Sequence, residues 1–181
     1  MLKRVCLVFC ALCFLLIGCK GNSSEKEIQS YEDGQVNYSQ RIVFILSETS
    51  YENGYENKGY FVLGDGSKCF FDLSEEERTY ASIENLYQYL SGHLSEFERM
   101  EYLSPEEAEA CIACLYEVDE TTELKEETVY FDGEQYDLYG VRFASEMPEF
   151  VLLKGSGGLR KERSDENIEE IIELLGEKWT Q

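Results

Sequence analysis

The chain has 181 residues, with 37 Asp or Glu against 16 Lys or Arg and a formal net charge of −21. That charge excludes a nucleic-acid partner and adsorption to anionic lipid. Hydrophobic residues make up 43% and aromatic residues 13%, too much for an intrinsically disordered chain and enough for one domain with a core.

Lys3 and Arg4 open the chain, and an apolar run extends from Val5 to Ile17. A positive segment before a short apolar one is the pattern of a secretory signal. The run is shorter than the roughly 20 apolar residues that span a bilayer. It closes on Leu16-Ile17-Gly18-Cys19 and is followed by polar residues from Lys20. These four residues resemble the lipobox of bacterial lipoproteins, and the resemblance covers residues 1–19 only. It implies a thioether-linked diacylglyceryl group on the Cys19 thiol, cleavage before Cys19 and an acylated first residue. It also implies attachment to the cell membrane on the extracytoplasmic side, since two or more acyl chains anchor stably. Cleavage there removes two basic residues and no acid, leaving 163 residues with a net charge of −23. The expected layout is a signal peptide over 1–18, a polar tether over 19–37 and one α+β domain over 38–181.

Within the domain, Arg41 to Ser47 is a continuous β-branched and aromatic run, as in a strand buried on both faces. Asn and Gly in residues 53–59 mark a turn. Tyr60 to Gly64 and Lys68 to Leu73 follow as strands joined through Asp65-Gly66, a hairpin pair. Ser74-Glu75-Glu76-Glu77 fits a capping box, and the spacing of Tyr80, Ile83, Tyr87, Leu90 and Leu94 predicts a helix ending near Gly92. Residues 95–103 fit either a short strand or a helix. Ser104-Pro105-Glu106-Glu107 starts a second helix that runs to about Tyr116. Glu117 to Glu127 reads as an acidic connection, and Thr128–Phe131 with Gln135–Ala144 as a hairpin about Asp132-Gly133. Glu149 to Lys154 is another strand. A Gly-rich loop leads to a last helix capped by Ser164, with Ile168, Ile171, Ile172, Leu175 and Trp179 on its apolar face. The expected fold is an antiparallel sheet from two three-strand meanders, with about three helices packed on one face.

The candidate sites are few. Cys111-x-x-Cys114 joins Cys69 and His93, the sole histidine, as a Cys3His zinc set if the fold assembles them. The alternative is that Cys111 and Cys114 are small apolar residues on the core face of a helix. A redox role is disfavoured, because Cys111 lies nearly two turns inside the helix, where the dipole has faded. Gly155 and Gly157, with Lys154, Arg160, Lys161 and Arg163, offer amides and cations to an anion, or form a mobile connection. Tyr51, Tyr55 and Tyr60 alternate with Asn and Gly and offer a stacking surface for sugar rings, or pack on the sheet edge. No nucleophile elbow, zincin motif or phosphate-binding loop occurs, so neither a cofactor nor a catalytic set is expected. The sequence thus predicts a lipid-anchored, non-enzymatic binding domain for an envelope protein or glycan. The alternative is an envelope hydrolase or metal-dependent enzyme with a site assembled from dispersed acids.

Overall fold

The computed structural model describes residues 38–50, 56–73, 82–119, 121–128, 134–143 and 147–176. All belong to one compact unit within residues 34–181. Its elements in chain order are β1 (Ile42–Ser50), β2 (Glu56–Leu63), β3 (Ser67–Asp72), α1 (Ile83–Gly92), β4 (Arg99–Glu101), α2 (Pro105–Glu117), β5 (Leu124–Thr128), β6 (Gln135–Arg142), β7 (Glu149–Ser156), β8 (Leu159–Arg163) and α3 (Glu166–Leu174). The strands form one antiparallel sheet in the order β4-β3-β2-β1-β6-β7-β8-β5. The fold is therefore α+β.

The apolar run at the start of β1 is explained by its place. It lies between β2 and β6, and Ile42, Val43, Phe44 and Ile45 are all buried. Side chains alternate across a strand, so Tyr60 and Val62 of β2 enter one core cluster and Phe61 and Leu63 enter another. The first cluster also holds Cys111 and Leu115 of α2 and Ile168 and Ile171 of α3. The second holds Leu86 and Leu90 of α1. The helices therefore cover opposite faces, α2 and α3 one and α1 the other. This corrects the expectation of a single helical layer. A bulge in β1 adjusts the pattern. Ile42 pairs with Leu63 and Phe44 with Val62, so Val43 is extra, and Val43 and Phe44 both join the α2/α3 cluster.

Three other expectations change. The Gly-rich segment is not a strand-to-helix connection but the tight end of a β7–β8 hairpin. Of the segment expected to pair with β6, only Thr128 is among the described residues; it ends β5, which pairs with β8 at the far edge. Charge explains that register: Lys125 faces Glu162, Glu126 faces Lys161 and Glu127 faces Arg160. Residues 95–103 include the short edge strand β4. The Ser74 capping box and Trp179 lie outside the described residues, as does the Asp132-Gly133 turn. Within them, α1 is capped by Ser82, whose hydroxyl accepts from the Asn85 amide. The Ser104 capping box of α2 is formed as expected: Ser104 accepts from Glu107 N, and the Glu107 carboxylate accepts from Ser104 N.

Candidate functional site at the loop end of the sheet

The fold separates the cysteines. Cys69 on β3 is buried in the α1-face cluster, whereas Cys111 is buried in the α2/α3-face cluster. The sheet lies between them, so the Cys3His set is not assembled. His93 stacks on Tyr89, with centroids 4.3 Å apart, and its Nδ1 donates to the Tyr89 carbonyl at 2.7 Å. No group of three or more His, Cys, Asp or Glu suited to a metal occurs among the described residues. Burial pushes the Cys111 thiol up to about 12, with Cys114, Glu107 and Glu170 adding to it. Cys114 is raised by burial and then by Glu170. Cys111 lies in the core cluster and Cys114 packs against it, so both serve as packing residues of α2.

The glycine candidates are structural too. Gly155 sits in β7 opposite Asp137 and Lys161. Gly157 has φ +120°, and a Cβ there would strike the Glu134 carbonyl, so the turn requires glycine. Arg160 is paired across the strands with Glu127. Tyr51 and Tyr55 lie outside the described residues. Tyr60 is buried under the Lys68 ammonium, which lies 3.6 Å from its ring centroid and 4.1 Å from that of Tyr102.

The register nevertheless brings the candidate segments together. β1 ends at Ser50 opposite Glu56, the start of β2. Thr49 faces Gln135 at the start of β6, Tyr136 faces Ser156 at the end of β7, and Thr128 at the end of β5 faces Leu159. Six strand ends thus meet at one end of the sheet. There the pairing lines up Asp72, Lys58, Glu48, Tyr136 and Ser156 on adjacent strands. Directly paired residues share a face. Glu48 follows Phe44 and Leu46 at two-residue steps, so this polar row lies on the α2/α3 face.

The middle of the row is closely coupled. Lys58 Nζ is 3.3 Å from Glu48 Oε1 and 3.8 Å from Glu134 Oε1. The Tyr136 hydroxyl donates to Glu134 Oε2 at 2.6 Å. Burial raises the Glu48 carboxyl, and the Glu134 carboxylate raises it further against the pull of Lys58. Glu134 is lowered, first by the Tyr136 hydroxyl and then by Glu48. Burdened by the Glu134 bond and burial, Tyr136 is raised well above an ordinary phenol. The two carboxyls are thus driven in opposite directions, Glu48 toward its neutral form and Glu134 toward its ionised form.

The same strands carry a second polar group on the opposite face. Asp137 Oδ1 accepts from Gln135 Nε2 at 3.1 Å and lies 3.8 Å from Lys161 Nζ. Gln135 is itself buried; its amide nitrogen donates to the Leu159 carbonyl and its oxygen accepts from Leu159 N. Gln135 thereby ties the β7–β8 hairpin to β6. Sequence reasoning missed Glu48, Lys58, Glu134 and Tyr136, because 37 acids leave no carboxylate distinctive. The available signal was the polar continuation of β1 at the two-residue step of its buried face. The chain matches no family model, no curated protein sequence and no solved structure.

Proposed function

We propose that this chain is a membrane-anchored surface lipoprotein whose α+β domain binds another envelope component, a protein or a glycan, at the loop end of the sheet. Residues 1–19 support the anchor through their likeness to a lipobox. The polar row carries the binding reading: alternating Asp, Lys, Glu, Tyr and Ser on five adjacent strands present donors and acceptors at the end where six strand termini meet. In this reading the sheet is built from two three-strand meanders. This division is supported by the consecutive antiparallel neighbours β1-β2-β3 and β6-β7-β8, which meet at β1 and β6, the strands that hold Glu48 and Tyr136.

Capture from envelope extracts tests the binding. Wild-type chain should enrich a component that a Lys58→Met, Tyr136→Phe double variant loses. Equal enrichment by both would remove the loop end from the reading. For the anchor, Cys19→Ser should move the protein from the membrane to the soluble extracytoplasmic fraction and abolish incorporation of labelled fatty acid; unchanged labelling would refute lipidation at that thiol.

One observation favours an enzyme as the second reading. Glu48 is raised while Glu134 is lowered, and carboxyls driven apart in this way can divide acid and base roles. Hydrolysis of any substrate in an envelope glycan and peptide panel, lost in Glu48→Gln, would transfer the assignment to that reading.

A further inference from the structure

The edge strand β4 carries a pattern that matches itself. Arg99, Met100 and Glu101 are all exposed, and β4 pairs only with β3 among the described residues. Met100 pairs with Lys68, so it lies on the same face as Lys68 and Phe70. Phe70 is 57% exposed and Met100 43%, which places two large apolar side chains at the rim of the sheet. Short length and charge normally protect an edge from pairing. Here the order of the charges works the other way. An antiparallel copy centred on Met100 sets Arg99 against Glu101 of the second copy, twice by symmetry, and Met100 against Met100. A two-fold contact needs such self-complementarity.

The other edge does not offer it. On β5, an antiparallel contact centred on Glu126 sets that acid against itself. A β4–β5 contact that matches Arg99 with Glu127 and Glu101 with Lys125 sets Met100 against Glu126. Only the β4–β4 arrangement matches both the charges and the apolar centre. Arg99 already leans on Asp65 at 3.7 Å and Gln40 at 2.8 Å, which extends its side chain along the α1 face of the edge.

We propose that two copies of this chain associate through β4 in an antiparallel two-fold contact centred on Met100. The contact is independent of the loop-end assignment, since β4 lies at the edge of the sheet and the polar row crosses its middle strands.

Disulfide trapping in the full chain, expressed in its membrane and treated with a mild oxidant, tests this. Residues directly opposed in an antiparallel pair have Cα atoms about 4.5–5.5 Å apart, inside the disulfide range of about 4.4–6.8 Å. Wild type, which carries every native cysteine, sets the background; among the described residues Cys69 and Cys111 are buried and Cys114 is partly so. Met100→Cys should give a discrete dimer, and Glu126→Cys should give about tenfold less. Adding Arg99→Glu, or separately Glu101→Arg, should cut the Met100→Cys dimer by about tenfold, because two attractive pairs become repulsive. Adding both should restore it. No dimer at position 100, equal yields at 100 and 126, or failure of the double reversal to restore the dimer would each overturn the proposal. A band found only in the Met100→Cys, Glu126→Cys double variant would replace it with a head-to-tail contact.

Discussion

Asp137 and Cys111 are both ionisable groups whose charged forms burial disfavours. Burial raises the Asp137 carboxyl, and Lys161 and Gln135 only partly offset this. A carboxyl raised on folding binds its proton more tightly in the folded state. Its cost to stability is absent below the unfolded value of about 3.9. The cost grows as pH rises through that value and is complete above the folded one. Asp137→Asn removes it. The urea midpoint of the variant should therefore gain on wild type as pH rises from about 3 to about 7. A gap that narrows over this range would mean that the Lys161 ion pair outweighs burial. For Cys111, a thiol pushed up to about 12 leaves almost no thiolate at neutral pH. Alkylation read by mass spectrometry should leave Cys69 and Cys111 unmodified in the native protein and modify both after denaturation. Rapid native labelling of Cys111 would contradict its burial against α3.

Each element shows a different balance between local and long-range information. The α2 start is local: Ser104, Pro105 and Glu107 specify it within four residues, and the box forms. Ser104→Ala should cost about 1 kcal/mol, read by thermal or urea unfolding. The contact of α2 with the sheet is not local. It depends on Gly140 in β6, where a Cβ would strike Leu115 of α2. Gly140→Ala should cost about 1–3 kcal/mol by overpacking, and Leu115→Ala, by leaving a cavity, about 2–5 kcal/mol. A partial rescue in the double variant would tie the two effects to one contact. Arg142 closes the same junction, donating to the Leu115 and Val118 carbonyls at the end of α2 at 2.8 Å and 2.7 Å. The strand β8 shows what local reading loses. Gly155 to Gly158 followed by Arg160, Lys161 and Arg163 has the composition of a loop. It pairs as a strand in a register that sets its cations opposite Glu127 and Glu126 of a segment some 35 residues earlier, itself read as an acidic connection. Neither segment identifies itself alone; only the complementary alternation of both does. The two-sided helical cover was more nearly legible. Four successive buried residues in β1 require cover on both faces, which is incompatible with helices on one side. The loop-end row was the least legible, because it depends on the register of five strands at once.

At the scale of the whole molecule, charge is the dominant imbalance. The acids exceed the bases by 21, and every described helix and strand carries at least one. Among the described residues, compensating ion pairs are partly exposed, including Lys58 with Glu48, Arg99 with Asp65, Lys154 with Glu162 and Lys161 with Asp137. Exposed pairs contribute only about 0–1 kcal/mol each. Self-repulsion of the compact state acts over longer distances and grows with net charge. Salt screens both, with a screening length near 30 Å at about 0.01 M and near 10 Å at about 0.1 M. The long-range repulsion, summed over many like pairs, should lose more than the short ion pairs do. Raising sodium chloride from about 0.01 M to about 0.3 M at neutral pH should therefore raise the thermal midpoint by a few degrees. Lys161→Glu should enlarge that rise: it adds two negative charges, faces Glu126 across the strands and takes the cation from Asp137. If the midpoint of wild type instead fell with salt, the cross-strand pairs of β5 and β8 and the loop-end cluster would outweigh global repulsion. The acidic surface would then be held together by its few cations, and the loss of one of them, Lys58 or Lys161, should cost more stability than neutralising any exposed acid returns.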